Sequence, residues 1–468
     1  MTSSVDGLVS GLSTSSMISS LMQVEAVPQT KLKTKVATAQ TAVTSYLSVN
    51  TKIKATKTAA ESVGDLASWR SLKVASSSST VTATATGGLG GMAGIAKFDV
   101  TSVARNQSTV LKLADTTAEQ SLPATFDIQP GTWSPDADAD GVDEFTPVGN
   151  PVTITVPEPR TAAKLTTAVN SAAMGIRAMV VNTSGNEGVI QFSGQKSGAA
   201  NGFQISGLDG YGTGGANPTT TSAKDAVLTM NPDTESAYTV TSATNTFSAL
   251  MPGVTLTVAK EEKGVTVDAT TDTSAISGKF QALVDAANAA LAEITSQTAY
   301  DIDTKTGSPL TGDFTVRQMK QTMLSQVSNG LSYTKSTTDS NGVATNTTVD
   351  FGSLSQLGIS LTKEGTFAFS ETDFNKAYLA DPAKVQEAGI AFGAKMKDLS
   401  ATQTKAVTGV ITGRKSEIQT LTDQIENWDV RLAAKKVALQ KQYTALETSL
   451  GSLKNQSSWL SGQLAGLG

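Results

Sequence analysis

Near its C-terminus the chain repeats apolar residues at steps of three and four. They are Ile411, Ile418, Leu421, Ile425, Trp428, Leu432, Leu439, Tyr443, Leu446, Leu450, Leu453, Leu460, Leu464 and Leu467. One stutter falls near Lys435 and Lys436. The spacing predicts a helix with one apolar seam. Running unbroken from 411 to 464, it would be about 80 Å long at ~1.5 Å per residue. Ordinary globular helices hold about 11–12 residues, and a lone helix gains no tertiary burial. Such a seam demands a second helix.

The other end of the chain supplies one. Residues 10 to 65 read as helix, with a stripe through Ile18, Leu21, Glu25, Pro28, Leu32, Val36, Ala39, Val43, Tyr46, Asn50, Ile53, Lys57 and Ala60. Pro28 has no N–H to donate, so it should kink the helix or start a new one. Leu8, Leu12, Ile18, Leu21 and Met22 form an apolar cluster among Gly and Ser. The plain reading of the C-terminal seam is an antiparallel hairpin within its own domain. The sharper reading pairs the two ends with each other, with neighbouring subunits, or with both.

The middle follows a different period. Thr80–Thr86, Phe98–Val103, Val152–Val156 and Val254–Val258 alternate in steps of two, as half-buried strands do. One helix interrupts them at Thr161–Ala173, and Gly/Asn/Pro-rich turns punctuate the region. Helical patterns resume at Ser277, after Asp313 and from about 383, with a strand pair at Thr348–Leu361 and Thr366–Ser370. The expected fold class is therefore multidomain α+β. Long terminal helices form a coiled-coil or bundle leg, and antiparallel β-rich domains are inserted between them. The expected division is a leg segment at 1–40, a helical leg domain with a small β element at 41–75 and 275–430, one or two β-rich domains at 76–275 with an internal boundary near 120–160, and a second leg segment at 431–468.

Composition narrows the chemistry. The chain of 468 residues has no Cys and no His. Disulfides, thiol nucleophiles, Cys-ligated zinc and His-based triads are all excluded. The ends and the middle differ in charge: residues 1–75 carry +4, residues 76–300 carry −10 and residues 301–468 carry +1. An acidic middle argues against nucleic acid as a partner. No apolar run approaches the ~20 residues of a membrane-spanning helix. No basic segment followed by an apolar one opens the chain, so the expectation is a cytoplasmic protein or one exported with its N-terminus intact.

One stretch has the look of a ligand site. Asp136, Asp138, Asp140 and Gly141 match the first positions of an EF-hand-like calcium loop, with Glu144 as a substitute acid where Pro147 occupies the twelfth position. A solvated acidic loop is the plainer reading, and no cofactor is otherwise expected. Gly88-Leu-Gly-Gly-Met-Ala93 fits a dinucleotide fingerprint in form only, because a strand rather than a helix follows it. No carboxylate pair stands out as an acid/base couple, and the chain is not expected to be an enzyme.

Several segments resemble one family. Gly7-Leu-Val-Ser-Gly11-Leu12-Ser-Thr14, followed by Leu21-Met22, Glu25 and Pro28, is similar to the opening of the bacterial flagellar cap family, also called hook-associated protein 2; Ser13 stands where the family has Asp. The same family is resembled by Phe98–Gln107 (with Val103 for the usual Leu), Ser197–Phe203, Pro252–Leu256, Leu310–Arg317, Leu357–Thr366, Asp381–Val385 and Gln456–Leu460. The acidic loop at 134–147 has no counterpart in that pattern.

The resemblance implies a non-enzymatic assembly factor: a homo-oligomeric ring at the distal tip of the flagellar filament that promotes folding and polymerisation of exported flagellin. It implies helical legs, a β-rich plate and export through the flagellar type III apparatus. The implied partners are the chain itself, flagellin, hook-associated junction proteins and a cytoplasmic export chaperone at about 430–464. The residues expected at self-assembly or filament contacts are Leu8, Leu12, Ile18, Leu21, Met22, Leu32, Val36, Val43, Tyr46, Ile425, Trp428, Leu432, Leu439, Tyr443, Leu446, Leu450 and Leu453. Leg residues near both termini are expected to be disordered in the free protein and to order on assembly. Two other readings stay open: a β-rich surface adhesin on a helical stalk, and another flagellar axial protein from the hook–filament junction.

Overall fold

A computed structural model describes residues 11, 13–88, 90–119, 122–136, 143–338, 342 and 344–465. Leu8, Leu12, Asp138, Asp140, Gly141 and Leu467 lie outside the described residues. Helices occur at Thr14–Glu25 (α1), Val27–Gly64 (α2), Leu66–Trp69 (α3), Ala162–Ser171 (α4), Thr273–Thr298 (α5), Phe314–Ser328 (α6), Glu371–Ala380 (α7) and Pro382–Ala465 (α8). The chain divides into two compact units, Met1–Asp65 with Ser277–Gly468, and Leu66–Ile276.

The second unit holds sixteen strands among the described residues. They are β1 (Leu72–Ser76), β2 (Val81–Ala85), β3 (Gly94–Ser102), β4 (Ser108–Leu113), β5 (Thr125–Ser134), β6 (Glu144–Pro147), β7 (Val152–Thr155), β8 (Ile176–Ser184), β9 (Glu187–Gly194), β10 (Gly202–Ser206), β11 (Thr219–Thr221), β12 (Ala226–Met230), β13 (Tyr238–Ser242), β14 (Thr246–Met251), β15 (Val254–Val258) and β16 (Glu262–Thr271). Every strand pair in it is antiparallel. The five-stranded sheet β1-β16-β3-β12-β13 and the three-stranded sheet β14-β15-β2 enclose one core on Phe98, Leu228, Val254, Leu256 and Val267. The sheets β11-β4-β9-β8 and β10-β5-β6, with β7 on β5, enclose another with α4, on Leu111, Ile128, Leu165, Ile190, Phe192 and Phe203. Alternate residues of β3, β4, β9, β12, β15 and β16 feed these cores, which is the burial that the period-two pattern requires.

The chain passes from the first core to the second near Ala104–Gln107 and returns near Ser222–Ala226. The crossing was expected near 120–160. Residues 122–156 supply Leu122, Phe126, Ile128, Ile154 and Val156 to one core, so no boundary falls there. Arg105 and Lys224 pair across the two crossings, N–H to carbonyl at 3.0 and 3.1 Å.

In the first unit α2 and α8 pack antiparallel. Gln29, near the start of α2, meets α8 at Ile425 and Asp429, whereas Gly64, at the end of α2, meets α8 at Gly393 and Ala394. There the backbones nearly touch: a Cβ on Gly393 would lie 2.5 Å from Gly64 N and 2.8 Å from Ala60 O. Between these points α2 buries Ala39, Val43, Tyr46, Val49, Ile53 and Ala60. Facing them, α8 buries Phe392, Met396, Val407 and Ile411.

Pro28 enters the first turn of α2, where its missing N–H has no partner to lose. Ala26 keeps helical angles between α1 and α2, so the break amounts to one turn. α2 passes residue 40 unbroken, and α8 passes residue 430 unbroken through 84 residues. The pattern from 383 and the seam from 411 are thus one helix. Asp381 starts it by accepting the Lys384 N–H at 3.0 Å, with Pro382 in the first position.

Behind α2 and α8 lie α5 and α6, whose Phe280 and Val316 are fully buried. The small strands of this unit are β17 (Tyr300–Asp301), β18 (Thr306–Gly307), β19 (Leu331–Thr338), β20 (Ala344–Gly352), β21 (Ile359–Leu361) and β22 (Phe367–Phe369). The residues from Thr348 pair with β19, and Ile359–Leu361 pairs with β22. One expected strand pair is therefore two hairpins, because the left-handed Gly358 (φ 74°) ends the chain's run between them.

Candidate assembly surface

The seam begins with α1. Ile18 is buried and Met22 is half-buried, and both line a cleft of about 400 Å³ with Leu432, Ala433, Lys436 and Gln440 of α8. Leu21 faces away and is 43% exposed. Glu25 sits 3.5 Å from Lys435, which ties α1 to α8 beside the stutter. One turn further, the Gln29 amide donates to Asp429 and to the Ile425 carbonyl. These two polar contacts set the helix register, a role attested for single polar residues in helical seams.

Leu32 and Val36 are half-buried, and Val43 and Tyr46 are buried. The Tyr46 hydroxyl donates to Asp313, whose other oxygen caps α6 at the Val316 N–H, 2.9 Å away. Burial and the Asp313 carboxylate push the Tyr46 phenol up to about 12. The resemblance pointed to the stretch Leu310–Arg317. Its structural reason is a left-handed Gly312 (φ 83°) followed by this shared carboxylate.

Along α8, Ile425, Trp428, Leu432, Leu439, Tyr443 and Leu450 are half-buried. The Arg431 guanidinium lies 4.5 Å from the Trp428 ring centre. Two of the expected contact residues on α8 stand out in solvent as Leu21 does, Leu446 at 48% and Leu453 at 59%. Trp459, Leu460 and Leu464 continue the exposed stripe. Nothing in the periodicity distinguishes the buried part of the seam from this part. The difference is whether a facing helix runs alongside.

The acidic loop is described only at its ends. The Asp143 carboxylate accepts the Ser222 hydroxyl and lies 3.6 Å from the Lys224 ammonium. The Ser222 hydrogen bond, then Lys224, holds its pKa below the usual carboxylate value. Glu144 pairs with Ser134 in β6. Among the described residues no three acidic side chains gather as a metal site would need. Asp143 instead borders a cleft of about 460 Å³ with Trp133, Lys224 and Asp225.

One residue that the periodicity did not mark organises this region. Gln107 is fully buried, and all four of its hydrogen-bonding positions are filled. Its carbonyl accepts the Trp133 indole N–H at 2.6 Å and the Phe203 N–H at 2.8 Å. Its amide donates to Phe203 O at 2.5 Å and to Thr109 Oγ1 at 3.0 Å. Gly202 must lack a Cβ, which would come 2.3 Å from Trp133. Thus two segments of the resemblance, ending at Gln107 and Phe203, are one clamp. The cue was the shared motif, not amphipathicity.

The family model described as Flagellar hook-associated protein 2 N-terminus matches residues 10–107. The model described as Flagellar hook-associated protein 2 C-terminus matches residues 223–455. The stretch between the two matches is the part of the chain that builds the second core. Flagellar hook-associated protein 2 of Campylobacter jejuni is 29% identical over 140 residues, 30% of this chain and 22% of that protein. B-type flagellar hook-associated protein 2 of Pseudomonas aeruginosa is 26% identical over 231 residues, 46% of this chain and 44% of that protein. The chain thus matches less than half the length of either relative. The crystal structure of the D1-D2-D3 domains of the flagellar cap protein FliD from Escherichia coli has the same fold. Its TM-score is 0.55 at 19% identity, covering 79% of this chain and 99% of that one. With matches at both ends, relatives of one kind and a shared fold, the chain belongs to the flagellar hook-associated protein 2 family.

Proposed function

We propose that this chain caps the bacterial flagellar filament. Copies of it close into a ring at the distal tip, promote the folding and polymerisation of exported flagellin, and prevent its leakage. The observation that carries this reading is the pairing of both chain ends, α1 and α2 against α8, in a chain of this family. The helical ends serve as legs that contact the filament, and the β-rich unit contributes to the plate. The work is mechanical and needs no catalytic residue or cofactor. The hook-associated junction proteins are neighbours in the same axial structure. The export route is the flagellar type III apparatus, and residues about 430–464 bind a cytoplasmic export chaperone before export.

Deleting the gene tests the reading. The expected result is loss of motility, with monomeric flagellin released into the medium and both restored by the full-length chain. Filaments of normal length in the deletion strain would overturn it, and loss of surface attachment alone would point to an adhesin.

A further inference from the structure

The outer faces of the paired helices carry opposite charge at the same height. α2 holds six lysines and a single acid, Glu61. Lys57 forms an ion pair with Glu61 at 2.9 Å. Lys31 and Lys35, one helical turn apart and both exposed, form no ion pair among the described residues. Between Ser416 and Val430, α8 carries four acids and no base. Glu417 is taken by Arg414 and Asp429 by Gln29. Asp423 and Glu426 are exposed, three residues apart, and meet no cation among the described residues. The Gln29 contacts fix the antiparallel register, so Lys31 and Lys35 lie level with the stretch that holds Asp423 and Glu426.

We infer that the Lys31–Lys35 side of α2 docks against the Asp423–Glu426 side of α8 in a second copy of this chain. The contact joins two different surfaces, so it is heterologous, and repetition around an axis closes a ring. It rests on the proposed capping assembly and names the surface that holds the legs side by side. Charge complementarity supplies the choice of partner: in this stretch α2 carries bases without acids and α8 acids without bases. Exposed pairs of this kind contribute little singly and are screened by salt. Their main effect is on encounter rate and register.

A trans-complementation experiment decides the matter. Full-length native protein, the double variant Lys31→Glu/Lys35→Glu, and the double variant Asp423→Lys/Glu426→Lys are compared by mass photometry at 50 mM and 500 mM salt. The expected result is that native chain assembles, more readily at low salt. Each double variant alone should need about ten-fold more protein to assemble. An equal mixture of the two variants should associate at the concentrations at which the native chain does, because wherever the two alternate each presents the charge that the other now lacks. A same-chain attraction between α2 and α8 is not repaired by mixing, so failure of the mixture would overturn the proposal. Native-like assembly of each variant alone would overturn it as well, while leaving the capping assembly standing. A native chain that stays monomeric throughout would overturn both. Circular dichroism confirms that each variant keeps the native helix content.

Discussion

Single side chains in this protein act where elements cross. Gln107 is the sharpest case, since four hydrogen bonds converge on one fully buried amide. Gln107→Leu keeps the volume but strands the Trp133 and Phe203 donors. The expected loss is about 3 kcal/mol of stability, read from urea melts of the full chain. Tyr46 gives a pH signature. Its folded pKa is raised to about 12, so its contribution is complete below the unfolded value of about 10 and is lost as pH rises through 12. Melts of native protein and Tyr46→Phe from pH 8 to 12 should show a difference of about 1–3 kcal/mol at pH 8 that shrinks above pH 10. At Asp136 and Glu144 the expectation is calorimetric: calcium should give no detectable heat and no change in melting temperature. The neighbouring Asp143 is already engaged by Ser222 and Lys224. A micromolar binding isotherm would reverse that.

At the scale of elements, the seam has a gradient. From Val43 to Val63, α2 is deeply buried on its inner face, whereas Leu32 and Val36 are only half-buried and Leu446 and Leu453 of α8 are exposed. Burial of apolar area is what holds a long helix. Hydrogen exchange on the isolated protein should therefore be fast in 13–40 and 430–465 and slow in 43–63. Protection should spread to the outer segments on assembly. Strong protection of both in the free protein would refute folding on assembly. The helix periods of α2, α6 and α8 were legible because their cores repeat at three and four. The length of α8 was only partly legible. Between 383 and 411 its buried face keeps the spacing through Val385, Phe392, Met396, Val407 and Ile411, but Gly389, Ser400 and Gln403 fill buried positions between them, and small or polar residues interrupt a hydrophobic period.

The whole molecule is an insertion within an insertion. The β-rich unit interrupts the helical one, and the second β core interrupts the first at the Arg105–Lys224 crossing. Since the two crossings are hydrogen-bonded neighbours, replacing 108–221 by a short Gly-containing turn should leave the first core folded. Far-UV circular dichroism and a cooperative melt of the shortened full chain would check this; a molten chain would show that the cores are interdependent. By itself the sequence determined that the ends are helical and seek a partner, that the middle is antiparallel β, and that thiol or imidazole chemistry is excluded. Those conclusions follow from side-chain period and composition, which are local properties. Only the tertiary structure decided which helix faces which, which part of the seam stays in solvent, and that Gln107, Trp133 and Phe203 meet. Such contacts join residues far apart in the chain, and neither period nor propensity records who the distant neighbour will be.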